Sequence, residues 1–195
     1  MANIDWTGEV LDQIETHWQQ RLRPRLEGLT DEEYFWQPVP GCWSVHPRGE
    51  STAPISWGSG EFTLDYGPDT EPTPVTTIAW RLGHLTECFA STNGVFFGGP
   101  LVDAQTFEYP GTAASALARL DEVYADFAAG VRSLGEAGLA EPQGRRSPPA
   151  FADAPVARVV RYMSVEAFHH GAEVCLLRDL YLKSADLILT PRRGT

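Results

Sequence analysis

Met163-Ser164-Val165-Glu166-Ala167-Phe168-His169-His170-Gly171-Ala172-Glu173-Val174 is the stretch from which the fold is read. With the residues around it, Val159, Met163, His170, Val174 and Leu177 recur at helical spacing, the pattern of an α-helix that buries one face. Glu166 lies on the same side as Met163 and His170. Side chains four apart on a helix are neighbours, about 5–6 Å between Cβ atoms, so Glu166 and His170 can aim at one point. A carboxylate on an inward face is costly unless it is paired or bound to a metal, and an ionisable neighbour one turn away suggests shared coordination. His169 and Glu173 form a rival pair with the same spacing, three residues on and so turned by about 60° around the axis. Periodicity in so apolar a helix does not choose between the two pairs. Hydrogen bonding of Glu166 and His170 to each other, or to Arg81, is a further alternative that needs no ion.

Outward from this helix, expected over about 156–182, three more helical segments are predicted. The first covers about 5–26, with Val10, Ile14, Trp18 and Leu22 at spacings of four, and Pro24 kinks or ends it. The second covers about 76–97 and stops at Gly98-Gly99-Pro100. The third covers about 112–134, with Leu117, Leu120, Tyr124, Phe127 and Val131 on one stripe and Gly135 and Gly138 as stops. Thr30-Asp31-Glu32-Glu33 reads as a capping box that opens one short turn. From there to Thr76 runs a long crossover carrying Trp36, Trp43, Trp57, Phe62 and Tyr66. So many aromatics do not suit a solvated linker, so an ordered loop packed on the helices is expected, with room for a short hairpin near Phe62–Tyr66. The tail from Ser184 onward is expected to be an extended strap or frayed. The whole, residues 1–195, reads as one all-α domain, a four-helix bundle with one long connection.

Composition narrows the function. Apolar residues make up 43% of the chain, enough for a sizeable core, and the formal net charge is −11. An acidic chain repels phosphate backbones, so no nucleic-acid partner is expected; Arg145-Arg146 and Arg192-Arg193 are too small to reverse that. Cys42, Cys88 and Cys175 are odd in number and lack CxxC spacing, against a disulfide framework. The N-terminus has no signal-peptide pattern and no segment has the ~18–20 apolar residues of a membrane span, so a cytoplasmic protein with no membrane partner is expected.

A third donor for Glu166 and His170 has to come from another helix. His84, in WRLGHL (80–85) between Leu82 and Leu85, is the candidate. His17 and His46 have no comparable partner in their own segments.

WRLGHL and EAFHHGAEVCLLRDLY (166–181) resemble the DinB-like superfamily, and within it the relatives of mycothiol-dependent maleylpyruvate isomerase. YFWQPVPGCWSV (34–45) followed by TPVTTIAWRLGHL (73–85) is similar to the same group. The likeness runs from Trp6 to Tyr181, most specific at the two helical motifs. It implies an up-down-down-up four-helix bundle whose metal is held by a histidine of the second helix and an i, i+4 pair of the fourth. Carried onto this sequence, the ligands are His84, Glu166 and His170, in preference to His169 and Glu173. No further C-terminal domain like that of the isomerase is expected after the fourth helix, so that particular reaction is not carried over.

Two imidazoles and a carboxylate with an open position suit Zn²⁺, with Ni²⁺, Fe²⁺ and Mn²⁺ as alternatives. The leading expectation is a metal-dependent thiol transferase or isomerase that uses a low-molecular-weight thiol on a small-molecule substrate. A metal-dependent hydrolase and a non-catalytic metal- or ligand-binding stress protein are the alternatives, since no nucleophile or base beyond the ligands is visible. Glu173, His169, Trp80 and Arg81 are expected around the ligands, with Trp43 or Trp57 beside Trp80, and Arg178 and Asp179 in structural ion pairs. A homodimer is expected from similar bundles.

Overall fold

The computed structural model describes residues 4–68 and 71–189, with side chains through Ser184; Arg192-Arg193 and the last part of the expected strap lie outside the described residues. The first helix is α1 (Trp6–His17), capped by the Asp5 carboxylate on the Gly8 amide. It passes through a π-helical stretch, Trp18–Leu22, into the short α2 (Arg23–Arg25). The extra residue of the π turn keeps Trp18, Leu22 and Leu26 on the buried side with Leu11 and Ile14, a register that a straight 3.6-residue helix would drift from. The expected capping box forms: Thr30 Oγ1 accepts from the Glu33 amide, Glu33 returns the bond, and α3 (Asp31–Tyr34) follows.

The crossover corrects the all-α expectation. It holds three strands, β1 (Val45–Pro47), β2 (Ile55–Trp57) and β3 (Phe62–Tyr66), in an antiparallel sheet of order β1-β3-β2. Val45 stands opposite Leu64, and both are buried against α4 (Ile78–Phe97) at Gly83, where a Cβ would come within 3.3 Å of Leu64 and 3.5 Å of Val45. Asp65, also buried, accepts from the Ser44 amide at 2.9 Å and the Ser51 hydroxyl at 2.6 Å, and meets His46 Nε2 at 3.0 Å. Those partners offset the cost of burying a carboxylate.

Thr77 caps α4, its hydroxyl accepting from the Trp80 amide, and Gly98 closes it in the left-handed conformation. Next, α5 (Ala113–Ala140) opens on a Thr112 cap and breaks at Gly135, whose φ of 58° and ψ of −173° leave the helical region, which matches the stop read at that glycine. Last, α6 (Ala157–Leu189) runs past the expected end and replaces the expected strap over Ser184–Leu189 with helix; no Gly or Pro interrupts the chain between Gly171 and Pro191. Both α1 and α4 pack against α5 and α6. The core between them holds Ile14, Leu82, Phe89, Phe127, Val160 and Met163, with Trp18 stacked on Tyr124 at 3.7 Å. Arg178 of α6 donates to Glu33 at 3.0 Å and to the Arg25 carbonyl, while Arg25 pairs with Asp179 at 2.6 Å, so α6 is tied to the α2–α3 corner. Among the described residues no helix is long and apolar enough to cross a membrane.

Candidate metal centre

On α6, Glu166 and His170 face α4, and His84 faces them. The side chains of His170 and Glu166 are 9% and 16% exposed, whereas His169 is 64% exposed. The geometry therefore resolves the choice that periodicity left open: the Glu166/His170 pair points inward and His169 outward. His170 Nε2 lies 3.2 Å from Glu166 Oε2, and His84 Nε2 lies 3.7 Å from the same oxygen. The imidazoles stand edge to face, 4.9 Å between centroids. One donor atom from each of the three residues lies within 4.8 Å of the other two. Two donors about 2.0–2.1 Å from a tetrahedral zinc ion are roughly 3.4 Å apart, so the set fits one small divalent cation with little rearrangement.

The hydrogen bonding around His170 adds a chemical argument. Its Nδ1 is 2.8 Å from Glu173 Oε2 and 3.3 Å from the Arg81 guanidinium. Nδ1 cannot donate to one and accept from the other. The carboxylate contact is shorter and charge-assisted, and Arg81 has the same Glu173 oxygen 3.1 Å from its Nε. Nδ1–H therefore donates to Glu173, whose charge Arg81 balances. In the neutral ring this leaves the Nε2 lone pair facing a carboxylate oxygen at 3.2 Å. Two acceptors at that distance require something positive between them, a proton on Nε2 or a cation. Glu166 stays ionised: contacts from His170 foremost, then from His84, hold its carboxyl well below the usual carboxylate range against the opposing effect of burial.

Of the expected surrounding residues, Glu173, Arg81 and Trp80 take part. Trp80 stacks on His84 at 5.2 Å, with its indole N–H bonded to the Asp65 carbonyl at 2.8 Å, so the small sheet positions the ring against the candidate ligand. Arg81 lies 5.1 Å over the Trp80 ring. His169 stays at the exposed edge, 3.4 Å from Glu173 and with its ring edge-on to His170 at 4.9 Å. Trp43 and Trp57 pack on Tyr66; neither ring stacks on a candidate ligand as Trp80 does. His46 is engaged with Asp65, and His17 packs edge-on against Phe168. Three neighbours were missed by the sequence reading. Tyr162 stands one turn before Glu166, and partial burial, with the nearby Glu166 carboxylate, pushes its phenol up to about 12. Cys88 and Glu87 sit one turn after His84, with Cys88 Sγ 3.7 Å from His84 Nε2. The spacings Tyr162–Glu166 and His84–Cys88, both i, i+4, carried the signal.

Glu87 has a measurable consequence. Burial, with the like charge of Asp103, raises its carboxyl to about 7 against a weaker opposing bond from Cys88. The folded state then holds a proton that the unfolded state releases near the ordinary value of about 4.3, so stability falls as pH rises from there through about 7. Glu87→Gln is expected to leave the melting temperature of the metal-free protein unchanged near pH 4 and to raise stability at pH 8 by on the order of 2–3 kcal/mol. Thermal denaturation at the two pH values measures it, and parallel curves for the two proteins would contradict it.

A mainly helical protein with a two-histidine, one-carboxylate donor set between two of its long helices is the class that fold and site define. The sequence profile of the DinB superfamily matches residues 13–174. The chain belongs to the DinB superfamily. No curated protein and no solved structure matches it.

Proposed function

We propose that His84, Glu166 and His170 bind one divalent metal ion, zinc in preference to nickel, iron or manganese, and that the protein is a metal-dependent thiol transferase or isomerase acting on a small molecule. The observation that carries the metal reading is the convergence of both Nε2 atoms on one Glu166 oxygen while Glu173 takes the Nδ1 proton of His170. A carboxylate behind a ligating histidine fixes its tautomer and raises its basicity. When bound, the ion supplies Lewis acidity and a coordination position that three protein ligands leave for an outside thiol. This chain's residues do the rest. Trp80 walls one side of His84, Tyr162 stands one turn before Glu166, and Arg81 pairs with Glu173.

The proposal takes residues 1–195 as one domain with up-down-down-up helix order, in a cytoplasmic protein that is free to pair as a homodimer. Zinc-loaded protein assayed with electrophilic substrates, with and without low-molecular-weight thiols, tests the activity. Turnover that requires the thiol is expected. Thiol-independent cleavage of esters or amides would replace the transferase reading with a hydrolase, and no turnover of either kind would leave a non-catalytic metal- or ligand-binding stress protein.

Glu173 is given its own test. Glu173→Ala removes the partner of Nδ1 and leaves Arg81 uncompensated. Metal affinity is expected to fall about 10–100-fold, measured by competition with a chromophoric chelator. Unchanged affinity would remove Glu173 from the centre.

A further inference from the structure

His84 belongs to two donor sets. Besides Glu166 and His170, it meets Glu87 and Cys88, with one donor atom from each of the three within 4.8 Å of the others. We infer that His84, Glu87 and Cys88 form a second, sulfur-containing site for a thiophilic divalent cation, exclusive of the first. All three lie on one face of α4, Glu87 three residues and Cys88 four residues after His84, so the helix itself sets their spacing. Cys88 Sγ is 3.7 Å from His84 Nε2, 3.9 Å from His84 Nδ1 and 3.9 Å from Glu87 Oε2. A cation about 2.3 Å from sulfur and ~2.0–2.2 Å from nitrogen and oxygen places such pairs roughly 3.6 Å apart, so the two sulfur pairs already stand close to the separation a shared ion needs.

The donor types separate the two sites. The first offers two imidazoles and a carboxylate, which suit borderline ions. The second offers a thiolate, the soft ligand that favours thiophilic ions. Cys88 loses its proton to solvent as the sulfur–metal bond forms, and Glu87 adds a second negative charge to offset the ion. Exclusivity follows from the shared residue. A neutral imidazole has one nitrogen lone pair and one N–H. His84 presents Nε2 to Glu166 at 3.7 Å, and Cys88 Sγ lies 3.7 Å from that same nitrogen, nearer than its 3.9 Å from Nδ1, so the two sets compete for one atom. The lone pair serves one cation at a time, so serving the second set withdraws His84 from the first. A thiophilic ion captured here empties the first centre of one ligand, so such an ion acts as an inhibitor rather than a second cofactor.

The test titrates metal-free protein with Cd²⁺ and follows the near-ultraviolet sulfur-to-cadmium charge-transfer band together with stoichiometry. Four proteins are compared: wild type, Cys88→Ser, a Glu166→Gln/His170→Ala variant, and that variant with Cys88→Ser added. Wild type and the variant lacking the first set are expected to bind one equivalent with the sulfur band, and both proteins carrying Cys88→Ser to lack it. Circular dichroism confirms that each is folded, and serine is close enough in size to thiol to keep the helix packed. A missing band in the cadmium complex of the Glu166→Gln/His170→Ala variant overturns the second site. Two equivalents bound at once by wild type overturn exclusivity. Neither result bears on zinc at the first set, and failure of zinc binding there leaves the cadmium result of the double variant standing.

Discussion

Replacing His170 by alanine is expected to abolish stoichiometric zinc binding while leaving the protein folded. The residue is the most buried of the three candidate ligands, with its side chain 9% exposed, and it meets a carboxylate at each ring nitrogen, Nε2 toward Glu166 and Nδ1 to Glu173. Loss of a partner behind a ligand costs about 10–100-fold in affinity; loss of the ligand itself costs more, because the cation keeps only His84 and Glu166. The substitution also frees Glu166 of its principal hydrogen-bond partner, so its carboxyl titrates closer to the ordinary range. Zinc content after dialysis, beside wild type treated identically, checks the first effect. Equal content in the two proteins would mean that the ion, if bound, sits elsewhere.

The largest effect on stability is expected far from that centre, at Arg178→Ala. Arg178 donates to Glu33, and the two side chains are 14% and 4% exposed. Glu33 keeps only its capping bond to the Thr30 amide once the guanidinium is gone. Breaking a buried ion pair by removing one partner costs about 3–5 kcal/mol, because the remaining charge is left uncompensated. In a chain of this length each kcal/mol lowers the melting temperature by about 2–4 °C, so a fall of roughly 6–20 °C is expected. Adding Glu33→Gln to Arg178→Ala should recover part of the loss, since the stranded charge is then removed. A melting temperature within the error of wild type would show that α6 is held to the α2–α3 corner by packing alone.

How far the sequence could be read depended on how local each signal was. Long helices announce themselves through periodicity, and all four appeared within a few residues of their expected starts. Their ends were less legible: Gly98 and Gly135 mark real breaks, whereas nothing in Ser184–Leu189 opposes helix, so the expected strap is helical there. The π turn at Trp18–Leu22 was invisible because one added residue changes no composition. The sheet was missed because β1 and β2 have three residues each, too few for alternation to show; only Phe62–Tyr66 hinted at it. At the site, Glu166 and His170 were visible as an i, i+4 pair, but choosing them over His169 and Glu173 needed either a family resemblance or the helix orientation. Cys88 and Tyr162 carried the same spacing signal and were passed over, since a cysteine or tyrosine in an apolar helix reads first as core.

The central claim, one cation held jointly by α4 and α6, is tested most directly by anomalous diffraction from crystals of the zinc-loaded protein, with data collected on both sides of the zinc absorption edge. One anomalous peak is expected about 2.0–2.2 Å from His84 Nε2, His170 Nε2 and a Glu166 carboxylate oxygen. A peak bound by other residues, or a fully loaded crystal in which Glu166 and His170 simply hydrogen-bond to each other, would contradict it.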